Sequence, residues 1–135
     1  MAKKKKEQEE LKIFVIVPET VQVKPRSGDR TTIHMPFGRL AAQTAHAVSS
    51  MRMNWMDEWG TGPITTIVLS VRNSRELRKV EQELWALEEE GMYISAFQDS
   101  DEKFYGTKDK VLTAICTCPC TKDMISEAIG HLELL

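Results

Sequence analysis

At 135 residues the chain is long enough for one domain with a sizeable core, and its 41% hydrophobic and 28% charged residues are ordinary for a globular protein. No run of about 18 apolar residues occurs, which excludes a membrane-spanning helix, and the basic start MAKKKKEQEELK lacks the apolar stretch of a secretory leader, so a reducing cytoplasm is expected. The formal net charge of −2 excludes a globally basic nucleic-acid binder, although the Lys and Arg of the first half leave room for a basic face on an acidic protein.

Residues 1–10 read as a mobile, lysine-rich tail and residues 11–135 as a single domain. LKIFVIVP (11–18) is a continuous apolar run rich in β-branched residues, the pattern of a central strand covered on both faces. In 19–36, Val21 and Val23, then Thr31 and Ile33, alternate with polar residues around RSGD. That segment is either a small hairpin or a long mobile loop, and Pro25 argues against a regular strand at its position. Pro36 is a helix start signal.

FGRLAAQTAHAVSSM (37–51) then reads as a helix in which Arg39, Gln43, His46 and Ser50 are spaced i, i+4, i+7, i+11. At about 100° per residue these four fall in one narrow wedge. Ala41, Ala45 and Val48 lie opposite, and Leu40, Thr44, Ala47 and Met51 fill one flank. So many small residues predict close approach of other backbone and a helix buried on most sides, with the polar row facing solvent or a cleft. A guanidinium, an amide and an imidazole in one row can serve an anion; the plainer reading is a half-exposed polar face with one satisfied histidine.

WMDEWGTGP (55–63) is a loop with two tryptophans, and ITTIVLSV (64–71) a second buried strand. Asn73 and Glu76 have capping-box spacing, Leu77, Val80, Leu84 and Leu87 repeat at helical intervals, and Gly91 ends that helix. YISAFQD (93–99) is a strand, DSDEKFYG a polar loop, and KVLTAICTC (110–118) a strand broken by Pro119. A last helix starts at Thr121 and ends at Gly130, followed by the tail GHLELL. The order of elements gives an α/β domain with helices on both faces of a small, mostly parallel sheet. The connection through DSDEKFYG is too short for a parallel crossover, so the strand after it runs antiparallel to a neighbour.

Several of these stretches together resemble the type II peptidyl-tRNA hydrolases of archaea and eukaryotes. The resemblance rests on GRLAAQTAHA, on AFQDSDEKFYGTKDKVLTAI and on the ending IGHLELL, and covers residues 11–18 and 37–135. It implies a three-layer α/β/α domain with a four-stranded mixed sheet, usually as a homodimer. It also implies cofactor-free, metal-free hydrolysis of the ester joining a peptide to the 3′ end of tRNA. Carried over residue by residue, the family's site falls at Arg39, Gln43 and His46 on the first helix and at Asp99 at the strand end. The chain departs from the family in three places. Arg39 stands where the family has Lys; Ser100, Asp101, Glu102, Lys103 and Phe104 replace Ala-Gly-Arg-Thr-Gln; and the 19–37 segment is longer. Arginine keeps the charge and can grip phosphate with a fork, whereas the acids of the rewritten loop would repel phosphate.

Other constellations are weaker. CTCPC has Cys-x-Cys spacing, three sulfurs and only His131 as a nearby fourth donor, which suits core packing better than zinc. A Cys–His nucleophile would need an activated thiolate near His46 or His34. Trp55 and Trp59 could stack on bases or pack in a core or dimer. The leading function is ester hydrolysis, with His46 or Asp99 orienting or activating water and Arg39 and Gln43 holding the oxyanion or the terminal phosphate. The alternative is a member of the same fold that binds RNA or a protein partner without cleaving.

Overall fold

The computed structural model describes residues 10–25, 28–55 and 64–135. The Lys3–Lys6 run and Trp59, singled out in the sequence, lie outside the described residues. The central strand β1 (Lys12–Pro18) is buried from Ile13 onward, as its run of β-branched and aromatic side chains requires. It pairs in parallel with β4 (Thr65–Val71) and antiparallel with β6 (Val111–Thr117), which pairs antiparallel with β5 (Ile94–Asp99). The connection through DSDEKFYG therefore leads into an antiparallel strand, as its length demands. Only the C-terminal half of β4 is buried, less than the sequence suggested.

The sheet has five strands, not four, in the order β5-β6-β1-β4-β7. The fifth, β7 (Glu133–Leu134), is the GHLELL tail folded back against Leu69 and Ser70. Two residues carry no alternation to read, and the strand exists because the edge of β4 offers unpaired backbone groups. The 19–36 segment takes the hairpin alternative: β2 (Thr20–Val23) pairs antiparallel with β3 (Thr31–His34), and Pro25 falls in the connection.

Helix α1 (Phe37–Asn54) starts behind Pro36 as expected and runs three residues past the predicted end. Its buried stripe is Leu40, Gln43, Ala47 and Met51, packed on β1, β5 and β6. The alanine side is open: Ala41, Ala42 and Ala45 are exposed, so the helix is not buried on most sides. Alanine raises helix propensity but gains little from burial, so the stripe with the larger side chains faces the sheet. Helix α2 (Ser74–Trp85) is capped by Asn73, whose side chain accepts from the Glu76 amide at 3.0 Å. The Glu76 carboxylate reaches the Arg72 amide rather than closing the box on Asn73. This helix ends at Trp85, before Gly91, and tightens into a 3-10 turn at Glu88–Glu90. Three acids at the negative end of a helix dipole disfavour its continuation. DSDEKFYG is not simply a loop. Asp101 caps a one-turn helix α3 (Glu102–Tyr105), closed by Gly106 at φ +73°. Helix α4 (Lys122–Ile129) starts at Thr121, whose side chain makes no capping bond.

Strands β1, β4 and β5 point the same way, since β6 opposes both β1 and β5. Their C-terminal ends share one side of the sheet with the N-termini of α1 and α2, the side where open α/β sheets hold ligands.

The β1–β6 ladder is interrupted beyond Val15↔Cys116, and there the Phe14 amide donates to the buried Thr117 hydroxyl at 3.0 Å. Thr117→Val keeps the shape but orphans that amide. The variant should lose about 1–3 kcal/mol in urea unfolding, and an unchanged midpoint would show that another acceptor replaces the hydroxyl.

Candidate functional site

On a strand, alternate residues share a face, and Ser95, Phe97 and Asp99 of β5 meet the polar row of α1 one by one. Ser95 Oγ donates to Ser50 Oγ at 2.8 Å, the Phe97 ring stacks on His46 with centroids 4.9 Å apart, and Asp99 receives Gln43 and Arg39. Two residues of strand advance about 6.6 Å, and a helix step of three to four residues advances about 5–6 Å. The two repeats therefore stay in step over the length of the contact. This explains why the row exists: it is the seam between a helix and an edge strand.

Asp99 is where the seam ends and where most of the bonding converges. Its Oδ2 accepts from the Tyr105 hydroxyl at 2.8 Å, Gln43 Nε2 at 3.0 Å and Arg39 Nη1 at 3.4 Å. Oδ1 takes no donor among the described residues. Gln43 is 3% exposed, and its Oε1 accepts from Thr113 Oγ1 at 2.9 Å, so both ends of its amide are committed. On sequence alone Gln43 has a share in holding the substrate's oxyanion or phosphate; its bonds in the structure go to Asp99 and Thr113. Burial, and then the neighbouring Asp99 carboxylate, push the Tyr105 hydroxyl well above its ordinary pKa, so it remains a donor.

Arg39 is gripped from three sides. Its Nη2 donates to Asp101 Oδ2 at 3.1 Å, and the guanidinium lies over the Phe104 ring, 3.7 Å from its centroid. The rewritten loop thus supplies a clamp where repulsion was expected: Asp101 both caps α3 and pairs with the cation. The carboxyl of Asp101 lies below its ordinary range, chiefly because the Phe104 amide donates to it and further because of Arg39. Two of the five guanidinium N–H groups are used by these carboxylates.

Arg39, Gln43, His46 and Asp99 line one open cleft of about 490 Å3 together with Pro36, Ala42 and Phe104. His46 is exposed and makes no hydrogen bond to any described residue. At the cleft edge the start of α1 has no side-chain cap and no acid in its first turn. The amides of Phe37, Gly38 and Arg39 find no protein acceptor among the described residues, and such amides at a positive helix end attract negative charge. Tyr105, Thr113 and Phe104 were missed in the sequence, as was the clamping role of Asp101. An Asp followed three residues later by an aromatic and then Tyr-Gly is a readable one-turn helix, but the Arg39 that Asp101 clamps lies 62 positions away.

The three cysteines are buried in the core. Burial drives the thiol of Cys116 up to about 12 and that of Cys120 to about 11, and it raises Cys118 as well. They are unsuited to act as nucleophiles, and no group of metal-binding side chains forms among the described residues.

The model of the family described as peptidyl-tRNA hydrolase PTH2 matches residues 29–135. Among fourteen matching chains of solved structures, a protein of unknown function from Agrobacterium tumefaciens strain C58 superposes with a TM-score of 0.57. The match covers 93% of this chain and 98% of that one at 13% identity, which is a likeness of fold alone. No curated protein matches the chain.

The lowered Asp101 carboxyl links stability to acid. Its contribution is fully present above the unfolded pKa of about 3.9 and is lost as pH falls through the folded value. In Asp101→Asn the cap persists but this loss does not. Urea unfolding should therefore show wild type more stable than the variant at pH 6, with the gap narrowing below pH of about 4. A gap that holds constant down to pH of about 2 would refute the linkage.

Proposed function

The chain belongs to the peptidyl-tRNA hydrolase PTH2 family, and from that premise we propose that it is an active hydrolase of the ester between a peptide and the 3′ end of tRNA. The observation that carries this reading is the gathering of Arg39, Gln43, His46 and Asp99 around one cleft, with three donors on one Asp99 oxygen and none of the described donors on the other. A water bound at Asp99 Oδ1 would be aligned by a carboxylate that Tyr105 and Gln43 hold still. His46 takes a proton as that water adds to the ester carbonyl. The 3′ oxygen of the tRNA then leaves with a proton returned by the imidazole, giving a free 3′ hydroxyl and a peptide carboxylic acid that releases its remaining proton to solvent as the carboxylate. Negative charge on the carbonyl oxygen is met by the unused N–H groups of Arg39 and by the uncapped amides at the start of α1. Gln43, Tyr105 and Thr113 are positioning residues.

We place the protein where translation occurs, in the cytoplasm; among the described residues no helix is long and apolar enough to cross a membrane. We also expect a homodimer, supported by Phe37 and Met53 on α1, each 76% exposed. A monomer mass in solution at micromolar concentration would argue against it.

Turnover of purified peptidyl-tRNA tests the activity. His46→Ala and Asp99→Asn should each lower kcat by about 10²–10⁴, with tRNA affinity little changed. A wild-type protein that binds tRNA and leaves the ester intact would establish instead the binding-only alternative, for which the engagement of Arg39 by two carboxylates already gives some support.

A further inference from the structure

The cleft cation is Arg39, and two acids hold it. A polyanionic substrate needs more positive charge than that, and the described cations are not spread evenly. Two contiguous hollows of about 240 and 550 Å3 lie between the β2–β3 hairpin and the start of α2. Lys24, Arg30, Arg75, Arg78 and Lys110 line them, with Asp109 as the one acid among the described lining residues. Arg78 pairs with Glu81 along its own helix at 3.2 Å. Lys24, Arg30, Arg75 and Lys110 make no ion pair with any described residue, and all four are exposed. Gathering four unpaired cations in one groove costs free energy through mutual repulsion, and an anion relieves it.

The groove is built rather than incidental. The Gln22 amide donates to Ser74 Oγ and the Ser74 amide donates to Gln22 Oε1, each at 3.0 Å, so the hairpin is locked to the first residue of α2. The Glu19 amide donates to the Val71 carbonyl at 2.8 Å and fixes the hairpin's other end. On the far side the hairpin meets α3, since a Cβ at Gly106 would stand 3.3 Å from Pro25 Cβ. Gly106 follows Tyr105, which bonds Asp99. Groove and cleft therefore flank the same one-turn helix at the C-terminal end of the sheet. Among the described residues none of the large exposed apolar side chains lines the groove, so they supply it with no hydrophobic element that would insert into a lipid surface.

We propose that this groove holds the ribose-phosphate backbone of an RNA whose 3′ end reaches the cleft at Asp99, with Lys24, Arg30, Arg75 and Lys110 each positioned to contact phosphate. Lys24 and strand β2 precede residue 29, where the family match begins, whereas Arg30, Arg75 and Lys110 lie within it. The inference rests on reading the cleft as the seat of a tRNA terminus, but its test does not use hydrolysis.

Direct titration of deacylated tRNA between 50 and 200 mM salt is the measurement. The triple variant Lys24→Glu/Arg75→Glu/Lys110→Glu changes only exposed side chains, and an unchanged thermal melt checks that it folds. It should weaken binding on the order of 30-fold and reduce the salt slope by about 2–3. Arg75→Glu should weaken binding more than Lys122→Glu, which makes the same charge change on α4, away from the groove. Equal effects from those two single changes, or a triple variant with wild-type affinity and slope, would overturn the proposal. So would a wild-type protein that ignores tRNA at 50 mM salt, or one that binds vesicles of anionic lipid through these cations and tRNA without them. A protein that binds tRNA through the groove but cleaves no ester would keep this inference and remove the hydrolase reading.

Discussion

One carboxylate oxygen ties the working end of this molecule together. Asp99 Oδ2 takes donors from α1 and from α3, and through the Gln43 amide it is bonded onward to Thr113 in β6. Three elements are thus referred to a single atom at the end of a fourth, the edge strand β5. The ion pairs in this cluster are partly exposed, so solvent screens them and they add little to stability. Their value is positional. The buried Gln43 can satisfy its donors and acceptor only if Asp99, Thr113 and α1 keep their places, because leaving a buried amide unpaired costs about 1–3 kcal/mol.

The constraint runs outward from there along the α1–β5 seam. Ser50 on Ser95, His46 on Phe97 and Gln43 on Asp99 are three rungs of one ladder. The rungs change from a neutral hydroxyl pair, through a ring stack, to a charged cluster as the seam approaches the open end of the sheet. The stack leaves His46 oriented but free of hydrogen bonds to the described residues, a suitable condition for a group that has to exchange protons with a ligand. The small exposed residues of α1 beside it, Ala42 above all, keep the cleft wall low.

Charge is divided between two places. In the cleft the cation is balanced by Asp99 and Asp101, which favours a precise geometry over a strong field. Four cations without an ion pair among the described residues, Lys24, Arg30, Arg75 and Lys110, sit across α3, where the hairpin and the start of α2 meet. A long polyanion attracted by the second region would be delivered to the first with the cleft already in order, so that attraction and chemistry need not compete for the same arginine.

The sequence alone determined the α/β class, the buried central strand, the helix starts at Pro36 and Asn73, and the antiparallel turn of β6. Each follows from a local rule: β-branched runs, fixed φ at proline, side-chain capping, and the reach of a short connection. It also placed Arg39, Gln43 and His46 on one row, because helical spacing is a local property. What it could not decide was which side of that helix would be covered, since alanine suits both water and a core; the larger side chains of Leu40 and Met51 settled that only against a sheet. The fifth strand depended on a distant edge rather than on any pattern in Glu133 and Leu134. Whether Asp101 would repel a ligand or clamp Arg39 was decided by the folded chain, which brings together residues 62 positions apart and lays Phe104 over the same guanidinium. Charge in a sequence has a sign and a place in line; its partner is chosen by the tertiary structure, because electrostatic energy depends on distance in space.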